Sequence, residues 1–313
     1  MPALLVFALA IAWSGYWLWL HYEAQRRFDA QSATLATRGL TLDCTDRDWG
    51  GYPFRIEFTC SDPKFTDRRS SLISGADAKS LFVVMQAYDF RKVAALIDGP
   101  TTIALRDADP ITIDHERILA AFQRVSASEH RLSIEVPALR IGEDASAVTA
   151  SFHFRARDPN ILDIAASGEG IAFAVEDAKF AIDRAALEAN MPLSVLASDE
   201  ILRALAASGE KINVTRASLS KGDLTISGEG EVSITPQGLL DGRIKTVISD
   251  LGLFITQLQS ALKLSEKQVT ELRALGGVLA SATGGKSVAV DLLFKDGDIY
   301  WSAFKIATMQ PLF

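Results

Sequence analysis

Two carboxylates on one strand face, two cysteines and four scattered histidines carry the chemistry this chain could perform. In LTISGEGEVSIT, residues 224–235, Glu229 and Glu231 stand two residues apart on a strictly alternating segment. Strand rise separates them by about 7 Å. Acid–base work tolerates that spacing, but a solvated strand face produces the same pattern, and the solvated face is the expectation. Cys44 and Cys60 form no C-x-x-C, which argues against redox catalysis and for a structural role. His21, His115, His130 and His153 lack the i, i+4 or cysteine-flanked spacing of a metal site. His153, beside Arg155, reads as solvated. The chain contains no G-x-S-x-G, P-loop, G-x-G-x-x-G or H-E-x-x-H. No catalytic, cofactor or metal site is expected, and no enzyme.

The opposite face of 224–235 poses a different question. Leu224, Ile226, Gly228, Gly230, Val232 and Ile234 fall on its dry side. A strand glycine contributes no packing, and it marks a bend or the close approach of something else. Two at i and i+2 leave a hollow. Either a helix or a sharp curl of the sheet fills it, or an apolar ligand lies across it. Phe152 and Phe154, on one face of VTASFHFRA (148–156), are the other candidates for such a groove, whose occupant would be a phospholipid or another acyl-chain lipid.

These residues sit among many strands. LSIEV (132–136) is expected to stop at Pro137, while GRIKTVI (242–248) and SVAVDLLF (287–294) alternate. Asp296-Gly297 reads as a hairpin turn into a last strand. Asp98-Gly99-Pro100 and Thr235-Pro236-Gln237-Gly238 read as turns. SGEG occurs at Ser167–Gly170 and again at Ser227–Gly230. Around the first copy Ile171 and Phe173 change face relative to Leu162 and Ile164, which suggests a bulge. Helices are expected over HERILAAFQRV (115–125), SDEILRALAAS (198–208, Ser198 as N-cap), SDLGLFITQLQSALK (249–263), and from a capping box at Ser265–Gln268. They are too few for βαβ units. The fold class is α+β, mainly antiparallel β: a curved, elongated sheet with helices packed on one face, behind an N-terminal transmembrane helix.

Compartment is legible at the N-terminus. Residues 3–20, ALLVFALAIAWSGYWLWL, are free of charge and about long enough to span a hydrocarbon core. Trp13, Tyr16, Trp17 and Trp19 suit the headgroup level. Residues 1–38 thus read as an anchor with a polar helical extension ending at Gly39, and 39–313 as one β-rich periplasmic domain. Arg26 and Arg27 follow the span and nothing basic precedes it, an orientation signal against export. Large domains cross largely regardless of charge, so a single-pass inner-membrane anchor is preferred. A cleaved signal peptide ending near Ala10-Ile11-Ala12 is the alternative. In an oxidising compartment Cys44 and Cys60, on the dry sides of LTLDC and PFRIEFTC with DRDWGGY as the turn between them, could close a disulfide. With 32 Lys and Arg against 39 Asp and Glu, and no basic block, nucleic acid is not an expected partner.

Several segments resemble an uncharacterised family of anchored alphaproteobacterial envelope proteins, domain-of-unknown-function family 2125. They are SGYW (Ser14–Trp17), Trp49–Arg55 with Cys60 behind it, VMQAYDFRKVAALIDGP (84–100) and the terminal Met309–Phe313. The resemblance brings no catalytic residues. More distantly the chain is similar to AsmA-like envelope proteins, which implies a sheet curled around an apolar groove and a part in lipid handling. The expected function is an anchored periplasmic protein that binds or shuttles acyl chains. The alternative is a scaffold with a packed core and no ligand.

Overall fold

The computed structural model describes residues 2–313 except 71, 158–159, 176–177, 198–199, 263–265, 267–269, 271–273, 275–286 and 302–303. Strand makes up 57% of the chain and helix 21%, and among the described residues the strand pairings are antiparallel, so the class is mainly antiparallel β. The chain divides into two compact units, Met1–Gly142 and Glu143–Phe313. No Pro/Gly-rich linker marks that boundary, and 39–313 therefore read as one domain.

The first unit opens with α1 (Pro2–Thr37), closed by Gly39 in the left-handed region at φ 83°. Strands follow as β1 (Leu40–Asp43), β2 (Asp46–Gly50), β3 (Arg55–Ser61), β4 (Lys64–Asp67), β5 (Ile73–Asp77), β6 (Ser80–Gln86), β7 (Asp89–Asp98), β8 (Thr101–Leu105), β9 (Ile111–Asp114), β10 (Arg117–Arg124) and β11 (His130–Ile141). The register reduces them to six long strands in a meander. β1 pairs with β4 and β2 with β3; β3 then pairs with β6 and β4 with β5; β6 pairs with β7 and β5 with β8. The same doubling continues through β7 with β10, β8 with β9, and both β9 and β10 with β11.

Each long strand bends at one level, which forms a crease through Cys44, Asp62, Ala78, Gly99, His115 and Pro137. Backbone bonds carry the ladder across it: Thr45 N to Ser61 O, Asp62 N to Lys79 O, Lys79 N to Asp98 O, Gly99 N to Glu116 O and Glu116 N to Pro137 O. Asp62 and Ala138 take positive φ there. Pro137 therefore does not end its strand. It donates no hydrogen bond, but its carbonyl still accepts one, and β11 bends and continues. Asp98-Gly99-Pro100 is likewise a crease and not a chain reversal. At Gly99 a side chain would strike the His115 carbonyl and ring.

Two further expectations are corrected here. The helix expected over 115–125 is strand β10, held on both sides by β7 and β11. Its Ala- and Leu-rich composition favours helix, but two complete hydrogen-bond ladders outweigh a propensity worth a few tenths of a kcal/mol per residue, about 0–0.7. The expected turn DRDWGGY is mostly β2, and the reversal is confined to Gly51–Phe54. At Gly51 a Cβ would lie 2.6 Å from the Arg55 carbonyl oxygen, so only glycine closes this turn.

The second unit is a meander in chain order: β12 (Ala145–Arg157), β13 (Ile161–Val175), β14 (Ala178–Pro192), β15 (Ile212–Lys221), β16 (Leu224–Ile234), β17 (Leu240–Ile248), β18 (Val288–Lys295), β19 (Asp298–Trp301) and β20 (Phe304–Thr308). A short 3-10 turn (Leu193–Ala197) and α2 (Ile201–Ser208) join β14 to β15. α3 (Leu251–Leu262) follows β17, with Asp250 Oδ1 accepting from Leu253 N at 2.9 Å as its cap. Asp296 and Gly297 both take positive φ, as a two-residue hairpin turn requires. Thr235–Leu239 is a closed turn. Ser198 and the Ser265–Gln268 capping box lie outside the described residues.

The face switch near SGEG occurs without an inserted residue. Register against β12 and β14 is the same on both sides of Gly170. Gly170 sits at φ 56°, and Ile171 comes to lie 2.9 Å from where a Gly168 Cβ would be. A left-handed glycine, and no bulge, turns the pleat over.

Candidate functional site

Glu229 and Glu231 lie on the exposed face of β16. Lys211 Nζ bonds Glu231 at 2.7 Å, Lys245 faces Glu229 in register, and Arg243 pairs with Asp291 at 3.6 Å. Recesses of about 820 and 830 Å³ lie among these side chains. Opposite charges face one another across strands there, the pattern of a solvated sheet face. Among the described residues no cluster has the composition of a metal site.

The dry side of the same strand is covered at both ends. Leu224 and Ile226 pack with Ile248, Val288 and Val290 under Leu251 and Ile255 of α3. Ile234 packs with Val195, Leu205 and Ala206 under α2. Between them, a Cβ on Gly228 would meet Ile244 Cγ2 at 2.9 Å, and one on Gly230 would strike the Arg243 carbonyl. Gly242, which faces Val232 across the pair, would likewise strike the Glu231 carbonyl. The glycines thus allow β16 and β17 to approach closely, and the Ile244 side chain fills the space they leave. Of the groove expected over Leu224, Ile226, Gly228, Gly230, Val232 and Ile234, the two ends lie in packed clusters, and the middle from Gly228 to Val232 is half-buried at a tight strand contact. Phe152 is 37% exposed on β12 and Phe154 half-buried, and neither belongs to these core clusters.

An apolar cavity does exist, in the first unit. Alternation along β3 buries Ile56, Phe58 and Cys60 on one face. Across the sheet Ile56 stands beside Met85, Phe58 beside Val83, and Met85 beside Val93. α1 lies over this face. Trp17 and Leu20 are buried against Ile56 and Ala87, while Phe28 packs on Phe58 and Trp49 at ring distances of 4.8 and 5.6 Å. Between helix and sheet remains a trough of about 570 Å³, within the ~300–1,000 Å³ of small-molecule sites. Its walls are Leu20, Ala24, Phe28, Trp49, Ile56, Phe58, Val83, Met85 and Val93. The polar groups at its rim are satisfied: Glu23 bonds Arg26 at 2.9 Å and Arg27 at 2.7 Å. The dry row then continues beyond the helix through Ala95, Ala120 and Ile134, none of them fully buried.

Cys44 and Cys60 form a disulfide with Cα atoms 5.3 Å apart, tying the β1–β2 bend to β3 at the top of this wall. The trough residues were hinted at in sequence by PFRIEFTC alone. What the sequence lacked was any sign that α1 would leave space between itself and LFVVMQ (81–86).

α1 is long and apolar enough to cross a bilayer, and its first half is bare: Leu4, Leu5, Phe7 and Leu9 are each more than 60% exposed. With the disulfide, this defines a class: a membrane-anchored β protein with its folded part outside the cytoplasm and an apolar trough beside the anchor. Residues 17–310 match the family described as "uncharacterized protein conserved in bacteria" (DUF2125), and the chain belongs to it. No curated protein and no solved structure matches the chain.

Proposed function

We propose that this protein is anchored in the bacterial inner membrane by α1, faces the periplasm, and shelters lipid acyl chains in the trough between α1 and β2, β3, β6 and β7, as a carrier or buffer in envelope lipid handling. The observation that carries the reading is the trough itself. Its walls are mostly apolar, its charged groups, Glu23 and Arg27, are paired with each other at the rim, and it adjoins the anchor. An apolar chain gains about 0.8 kcal/mol per CH₂ removed from water.

The test uses the full chain in lipid nanodiscs containing a phospholipid with a photoreactive group at its chain end, followed by peptide mapping. Adducts on Ile56, Phe58, Val83 or Met85 support the reading, and adducts confined to residues 3–17 reject it. A scaffold without ligand is the second reading, favoured by the second unit, where α2 and α3 cover both ends of the dry face of β16.

A further inference from the structure

Four aromatic side chains at the end of the first unit's sheet keep about half or more of their surface exposed, although Tyr52 also touches Trp17 and Phe54 touches Trp13. Tyr52 and Phe54, in the β2–β3 turn, are 61% and 59% exposed, and Tyr88 and Phe90, at the β6–β7 turn, are 64% and 48% exposed. The two turns form one structure, because Ala87 N donates to Phe54 O at 2.9 Å and Ala87 is fully buried.

Their position along α1 is the informative fact. Trp13 Nε1 donates to Pro53 O at 2.9 Å, Tyr16 OH to Ala87 O at 3.0 Å, and Trp17 Nε1 to Arg55 O at 2.8 Å. Ser14 Oγ gives its proton to Ala10 O, so Tyr52 OH donates to Ser14 Oγ at 2.8 Å. All four contacts fall within the charge-free run 3–20. Trp13 lies ten residues before Glu23, the first ionised residue, about 15 Å along the helix. The two turns therefore reach the depth of the apolar span and not of its polar extension.

From this we infer that the tips of the β2–β3 and β6–β7 hairpins are inserted into the outward-facing leaflet of the same bilayer that holds α1, so that the trough opens directly from the acyl region. The occupant of the exposed aromatic patch is lipid, because the patch is continuous with the bare apolar surface of α1. The hydrogen bonding agrees with a dry setting. Water thins out from the headgroups inward, and the carbonyls of Pro53, Arg55 and Ala87 each accept from an aromatic donor on α1. Arg55, paired with Glu57 at 3.1 Å, and Arg91 and Lys92, paired with Asp89 at 3.0 and 4.0 Å, follow the tips within a few residues, at the level the inference gives to phosphate headgroups. An acyl chain can then leave the leaflet past Phe90 and Trp19 and enter the trough without crossing water. The inference rests on α1 lying in the bilayer, and stands whether or not the trough holds a chain.

The experiment uses the full chain in vesicles of phosphatidylethanolamine and phosphatidylglycerol, with one spin label at a time on Phe54→Cys, Tyr88→Cys, Leu9→Cys and Asp107→Cys. The native cysteines are disulfide-bonded and do not compete for label. Leu9 reports the span, and Asp107, in the β8–β9 turn, reports the opposite end of the sheet. The labels at 54 and 88 should collide several-fold more with oxygen than with a water-soluble nickel chelate, as at 9 and unlike 107. Labels at 54 and 88 behaving as at 107, with 9 lipid-exposed, overturn the insertion while leaving the anchor intact. Shielding of 54 and 88 from both reagents means protein covers the tips, and also overturns it. A water-exposed label at 9 removes the anchor and the inference together.

Discussion

The indole nitrogen of Trp17 donates to the carbonyl oxygen of Arg55 at 2.8 Å, which fastens the apolar anchor helix to the hairpin that carries the wall of the trough. Trp17 is 6% exposed, stacks on His21 at 4.8 Å and meets Tyr52 edge-on at 5.3 Å. Replacing it by Phe removes the hydrogen bond and keeps most of the packing, for a loss of about 1 kcal/mol. Trp17→Ala also opens a cavity and should cost roughly 3–5 kcal/mol. Thermal unfolding in detergent micelles should rank wild type, Phe and Ala in that order.

Filling the trough separates binding from anchoring. Ala24 packs at its edge from α1. Ala24→Trp should reduce photolipid adducts on Phe58 and Val83 several-fold, while the protein still sediments with vesicles. Unchanged adducts would mean that the labelled site lies elsewhere.

The Cys44–Cys60 disulfide closes a loop of sequence separation 16. On loop entropy, such a crosslink contributes about 3 kcal/mol. Cys44→Ser with Cys60→Ser should lower the urea midpoint accordingly, and a reducing agent should lower the midpoint of the wild type but not of the variant.

Glycines of β16 should respond unequally to alanine. At Gly228 the nearest obstacle is the Ile244 methyl, which can shift, so the loss is at most about 1 kcal/mol. At Gly230 a Cβ collides with the Arg243 backbone, which cannot yield without parting β16 from β17, and roughly 3 kcal/mol is expected. Equal and negligible effects in denaturant titrations would restore the open groove over 224–234.

His115 sits in the crease, 9% exposed, with Nε2 bonded to Thr101 Oγ1 at 2.8 Å. Burial pushes its pKa below the usual 6.5, against the opposing pull of Asp114 and Asp98. The unfolded chain therefore binds the proton more readily. The stability at stake is complete above about pH 6.5 and is lost as pH falls through the lower folded value. His115→Gln cannot charge, and its unfolding midpoint should change less between pH 7 and pH 5 than that of the wild type. Asp98 acts lower on the scale. The Arg117 guanidinium and the Ser80 hydroxyl hold its carboxyl below the usual carboxylate range, so its contribution persists through pH 5 and vanishes only in stronger acid.

Period-two alternation was a sound guide wherever one face is dry and the other wet, as in 224–235, 242–248 and 288–295. Composition misled where the local preference was helical but the neighbours were strands, as at 115–125. Proline and glycine do not stop the strands here. Pro137 and Gly99 sit where long strands bend, and a bend looks like a turn until its hydrogen-bond partners are known. The pattern of β16 shows where side chains are missing but not that Ile244, from the next strand, lies over Gly228. The trough was invisible for the same reason: LFVVMQ and PFRIEFTC show which side chains are dry but not what lies over them.

Taken alone, the sequence determined the apolar span, the antiparallel strand-rich class, the cysteine pair and the absence of familiar catalytic motifs. Each is a property of composition or of residues close along the chain. Only the tertiary structure decided that six strands share one crease, that α2 and α3 cover the two ends of the dry face of β16, and that α1 leaves a gap over β3 and β6. Those outcomes depend on contacts between residues tens of positions apart, where shape and volume decide and local pattern carries no record of the partner.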